Sequence, residues 1–97
     1  MKGDLVGLVP ELVGMLKKLE RKLNGELELN VTSGFRPGDR LAHGRGRAVD
    51  VAIVGGYQRR IVVAAALAVG FPRIGIYRGH VHLDVDLELP QPVIWSG

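Results

Sequence analysis

Cysteine is absent from the 97-residue chain, which excludes a disulfide framework and any thiolate metal site. A metal bound here would have to rest on imidazole and carboxylate groups. Aromatic residues are scarce too, with two Phe, two Tyr and one Trp, so few platforms exist on which nucleic-acid bases could stack. No apolar run approaches the roughly 20 residues needed to span a bilayer; the longest candidate, residues 61–69, is far shorter. Residues 1–8 carry one lysine and one aspartate before a weak apolar run, and no small-residue cleavage site follows. The expectation is a protein made in the cytoplasm without a secretion signal.

What is present suits one folded domain, residues 1–97. A hydrophobic fraction of 46 % beside 24 % charged residues argues against disorder. The net charge of +3 is a modest excess that suits either an anionic partner or plain solubility. Pro10 and Glu11 open a helix whose Leu12, Met15, Leu16, Leu19 and Leu23 recur at three- and four-residue spacing, and Asn24-Gly25 closes it. Strict alternation predicts a half-buried strand over 26–31. A Gly-, Arg- and Pro-rich loop follows over 32–47, and loops of that length in small domains tend to carry function.

Residues 48–54 read as an interior strand apolar on both faces. Gly55-Gly56 reads as a turn, and 57–69 as a second, largely buried helix stopped by Gly70 and Pro72. Residues 73–77 and 80–87 read as strands joined by a tight turn at Arg78-Gly79, and Trp95 in the tail is expected to dock on the body. The order predicts an α+β fold, a small and mostly antiparallel sheet with two main helices on one side.

The last strand concentrates the chemistry. Side chains alternate along a strand, so His80, His82, Asp84 and Asp86 share one face and Val81, Leu83, Val85 and Leu87 the other. Two histidines on such a row point to metal binding or proton transfer. Asp50 raises a related question from its apolar surroundings. An unpartnered carboxylate there would cost several kcal/mol to bury, so an arginine, Arg36 or Arg47, or a metal ion must face it.

His43-Gly44-Arg45-Gly46-Arg47-Ala48-Val49-Asp50 resembles the first zinc motif, His-x-x-Gly-x-Ala-x-Asp, of the D-alanyl-D-alanine metallopeptidases. That group includes D-Ala-D-Ala carboxypeptidases, phage L-alanyl-D-glutamate endopeptidases and the related hedgehog domain. Thr32-Ser33-Gly34-Phe35-Arg36, Gly70-Phe71 before Ile74-Gly75-Ile76-Tyr77, His80-Val81-His82-Leu83-Asp84 and Trp95 are similar to further family segments in kind and order. The resemblance covers about residues 31 to 95. It implies a hedgehog- or DD-peptidase-like fold, with Zn2+ held by His43, Asp50 and His82. It also implies hydrolysis of an amide bond in bacterial peptidoglycan peptide, as by a carboxypeptidase or a phage-type endolysin, and sets Arg36 towards the substrate.

The chain departs from the family at one place that matters. The usual general-base carboxylate, three residues before the last zinc histidine, is Gly79 here. His80, on the same strand face as His82, is the expected substitute, and Asp84 is expected to orient a ligand histidine. A monomer acting on the wall after release, as a phage lysin would, fits this reading. Two rivals stand beside it. One is a zinc domain that binds without cleaving. The other is a nucleic-acid binder using Arg36, Arg40, Arg45 and Arg47, which the shortage of aromatics disfavours.

Overall fold

In the computed structural model, which describes residues 1–97, helix α1 runs Pro10–Leu23 and buries Leu12, Leu16, Leu19 and Leu23 on one stripe. Glu11 lies in its first turn and Arg21 and Lys22 in its last, each complementing the helix dipole. Asn24 ends it in the left-handed conformation, its N–H bonded to the Glu20 carbonyl. No helix is long and apolar enough to cross a membrane.

Five strands form one mixed sheet: β1 (Val31–Ser33), β2 (Ala48–Ala52), β3 (Arg73–Ile76), β4 (His80–Asp84) and β5 (Val93–Ser96). Their spatial order is β1-β2-β4-β3-β5. All neighbours are antiparallel except β5, which runs parallel to β3. Helix α2 (Gly55–Val69) packs with α1 against the face carrying Val49, Val51, Ile74, Val81 and Leu83, all fully or almost fully buried. The fold is the expected small α+β arrangement.

Several boundaries differ from the sequence reading for identifiable reasons. The predicted strand over 26–31 is regular only from Val31. Strand β2 leaves the sheet after Ala52, so the residues before Asn30 have no strand opposite; Leu29 and Val31 bond instead to Lys2. Leu29 still points inward, as the alternation required. Val54, expected inside a buried strand, is 80 % exposed and caps α2, its N–H donating to Gln58 Oε1. Gly55-Gly56 opens α2 rather than forming a separate turn. That helix is buried along one face only, through Val62, Ala65 and Ala66. Strand β4 stops at Asp84 because the carboxylates of Asp84 and Asp86 each accept a backbone N–H two residues on and bend the chain.

The tail does more than dock. Trp95 is the register partner of Gly75, and its indole lies across the glycine: a Cβ there would stand 2.7 Å from Trp95 Cε2 and Cζ2. Only a residue without a side chain lets the ring cross β3 and reach His82, at 5.3 Å between ring centroids. Gly75→Ala should therefore push the indole off the sheet and destabilise the fold by about 1–3 kcal/mol. Trp95 is the sole tryptophan, so thermal melts followed by its fluorescence report both effects. An unshifted emission maximum and an unchanged Tm would refute this packing.

Candidate metal centre

The face of the sheet turned away from the helices carries the polar groups. Antiparallel pairing of β2 with β4 sets Asp50 opposite His82, Ala52 opposite His80 and Ala48 opposite Asp84. Two small residues therefore flank the carboxylate and leave room for the imidazoles. The third member comes from the long loop, through a short 3₁₀ helix, Ala42–Arg45. That segment is tied down at several points. The N–H of Arg36 donates to the His43 carbonyl and that of Arg47 to the Ala42 carbonyl. Arg45 forms an ion pair with the fully buried Asp86.

Together these elements bring His43, Asp50 and His82 close enough to hold a metal ion, with one potential ligand atom from each, all within 4.8 Å of one another. His43 Nε2 lies 3.5 Å and His82 Nδ1 3.3 Å from Asp50 Oδ1. Ligands of a tetrahedral zinc site, with bonds of about 2.0–2.1 Å, stand about 3.3 Å apart. The tautomers agree with such a site. The Gly34 carbonyl, 2.9 Å from His43 Nδ1, can only accept, so that nitrogen carries the proton. The lone pair is then on His43 Nε2, a buried atom with no hydrogen-bond partner. On His82, Nε2 donates to Asp84 Oδ2 at 2.6 Å and leaves Nδ1 facing Asp50. A carboxylate behind a ligand imidazole is the usual way to fix its orientation.

Of the two partners raised for Asp50, the arginine is in place on one oxygen, and the other oxygen is left to the imidazoles. While Oδ1 faces the imidazoles, Oδ2 accepts from Arg36 Nη2 at 3.2 Å. Arg36 also donates from Nε to Ser33 Oγ at 2.9 Å and has Asp39 near Nη1. It is thus the arginine partner that the sequence allowed for Asp50. Arg47 turns away and pairs with Glu11. His80 Nε2 lies 3.8 Å from Asp50 Oδ1, at the edge of the group, with 37 % of its side chain exposed. Gly79 sits in the hairpin turn without positive φ, and a Cβ there would meet nothing within 4 Å.

Charge is concentrated here. Burial works to raise the Asp50 pKa, but the imidazoles of His43 and His82 beside it outweigh burial and hold the carboxyl well below the usual range. Burial likewise opposes charge on His82, yet Asp50 and Asp84 together raise its pKa above the ordinary histidine value. Asp84 is lowered: burial is overcome by His82, the Asp86 N–H and Arg73.

A cleft of about 310 Å³ opens beside His43 and His82, walled by Leu41, Leu89, Tyr77 and Trp95. A larger groove of about 470 Å³ between α1 and α2 contains no histidine and no ligand cluster, so the chemistry belongs to the smaller one. Tyr77 and Arg73 were not singled out from sequence. Their signal was the alternation Arg73, Gly75, Tyr77 against Ile74, Ile76, which puts them on the face of His80 and His82 across the hairpin. No family model and no curated protein matches the chain, so the site is read on its own geometry.

Two predictions follow from the donor set. His43→Ala, Asp50→Ala and His82→Ala should each abolish stoichiometric metal binding by elemental analysis, whereas Asp84→Ala should weaken it by about 10–100-fold. Retention of one equivalent by all three ligand variants would reject the site. The second concerns pH. A raised His82 pKa means that the metal-free protein keeps a proton that Nδ1 must lose to bind metal. Affinity should then fall about tenfold per pH unit below that pKa and level off above it. Calorimetric titrations below that pKa, in buffers of different protonation enthalpy, should show about one proton released per ion; none released there would contradict it.

Proposed function

We propose that this chain is a zinc-dependent peptidase that hydrolyses an amide bond in bacterial cell-wall peptide. The observation that carries the proposal is the set of three ligand atoms from His43, Asp50 and His82, with the unpartnered lone pair of His43 Nε2 aimed into it. Two imidazoles and one carboxylate match borderline zinc, and three protein ligands leave one tetrahedral position open, as in catalytic rather than structural sites. When bound, zinc supplies Lewis acidity that polarises a scissile carbonyl and acidifies water.

The chain's own groups complete the reaction. His80 Nε2 is near Asp50 Oδ1, partly exposed and free of any hydrogen bond within the protein, so it can take the proton of the attacking water and pass it to the leaving amine. Asp84 holds His82 by Nε2. Arg36 holds Asp50 from the other side, and its side chain, 48 % exposed, retains surface for a substrate carboxylate. The polyanion reading finds less support. Arg45 is engaged with Asp86 and Glu88, Arg47 with Glu11, and Arg36 with Asp39 and Asp50.

The test is digestion of purified peptidoglycan with mass analysis of the released muropeptides, with and without chelator. Chelator-sensitive cleavage at one peptide bond is expected. Bound zinc without any turnover would favour the non-cleaving zinc domain instead. His80→Ala should keep fold and metal and lose about 10²–10⁴-fold in kcat; wild-type turnover in that variant would place the base elsewhere. Gly79→Glu should melt with the wild type, because the turn has space for a side chain and an ordinary φ, which makes it a clean test of whether a carboxylate there restores turnover to His80→Ala.

A further inference from the structure

We propose that the Tyr77 hydroxyl is the hydrogen-bond donor that the cleft offers to an oxygen atom of the molecule bound beside His43 and His82. The assignment begins with Trp95. Indole Nε1–H can only donate, and it lies 2.7 Å from Tyr77 Oη. The tyrosine oxygen is therefore the acceptor in that pair, and its own proton must point elsewhere. No acceptor within the protein takes it, since the Trp95 contact is the only hydrogen bond made by this hydroxyl. Tyr77, His43 and His82 line the same cleft, whose other walls include Leu41, Leu89 and the Trp95 ring. A donor in such partly apolar surroundings gains more from meeting an acceptor than it would in water.

The ring is also held in advance. Tyr77 stacks on His80 with centroids 4.6 Å apart and planes 9° from parallel, so its position is fixed on one side by His80 and at its tip by Trp95. A donor set before the ligand arrives needs no reorganisation when charge develops on a substrate oxygen, which is the condition for electrostatic stabilisation of an oxyanion. The arrangement gives a physical reason for the parallel β5. Gly75 lets the Trp95 indole cross β3 closely, and the indole in turn sets the direction of the Tyr77 proton. The substrate class that fits is a carbonyl compound whose oxygen turns towards Tyr77, with a compact apolar group against Leu41 and Leu89.

The proposal takes its substrate from the peptidase reading, but its geometry stands without it, and the test separates the two. Cobalt(II)-loaded protein would be titrated with acetohydroxamate, an oxygen ligand for the metal, and followed by the cobalt absorption bands. Tyr77→Phe should keep the stacking ring, the fold and the affinity for cobalt, while binding acetohydroxamate about tenfold more weakly. Trp95→Phe, which removes the indole donor but leaves the hydroxyl, should weaken the probe much less. Equal losses in the two variants would mean that the Trp95–Tyr77 pair serves packing only, and an undiminished affinity in Tyr77→Phe would overturn the proposal outright. Failure of the loaded wild type to bind acetohydroxamate at all would overturn it too. On peptide substrate, Tyr77→Phe should lower kcat by about 10²-fold with KM little changed. A wild type without peptidase activity, in which Tyr77→Phe still weakens the probe, removes the peptidase reading and leaves the donor in place.

Discussion

The register of β2 against β4 is the constraint on which the site depends. Pairing Asp50 with His82 across two interior strands places a carboxylate and an imidazole on the same face with no room for a shift. A slip of one residue would turn Asp50 into the helix-side core and bring Val49 or Val51 to the polar face, because side chains alternate with a period of two. The core on the helix side resists that slip. Val49, Val51, Val81 and Leu83 are fully buried there, so any register that exposed them would lose both their burial and the ionic pairing on the other side. Packing on one face of the sheet thus fixes the chemistry on the other.

Around this pair the structure spends buried charge in a chain. Asp84 is almost completely buried and stands between His82 and Arg73. Arg73 is covered by the Trp95 ring, its guanidinium carbon 4.9 Å from the ring centroid. Each ionic group has an opposite partner, as buried ions require. The His43 loop follows the same rule, being clamped to the end of β4 by Arg45 and Asp86. Two of the four arginines that read as a basic loop in the sequence, Arg36 and Arg45, are supports of an acidic and imidazole-rich centre.

The parallel edge strand β5 gives the centre its outer wall. Without it Arg73, Tyr77 and His82 would face water on that side, and neither the cleft nor the direction of the Tyr77 hydroxyl would be set. Gly75 is the element that makes the approach feasible, by clearing a path for an indole over the middle of the sheet. The group of candidate metal ligands, the cleft and the tail are therefore coupled through one glycine and one tryptophan.

Local rules in the sequence were enough for α1, with its leucine stripe, its Pro10 start and its Asn24 cap, and for the hairpin at Arg78-Gly79, because helix period and turn chemistry act over a few residues. They also marked Asp50 and His82 as candidate ligands, since an aspartate in an apolar strand and alternating histidines are visible without coordinates, whereas His43 entered only through the resemblance to the metallopeptidase motif. Only the tertiary structure decided that these three meet, which atoms face one another, and that Arg36 lies on Asp50. Those facts depend on strand register and on a loop docking across 41 residues, from Arg45 to Asp86. The exposure of α2 and the strand character of the tail were hidden for the same reason. Both follow from which neighbours an element meets in space, and a sequence carries that information only through the packing of the whole chain.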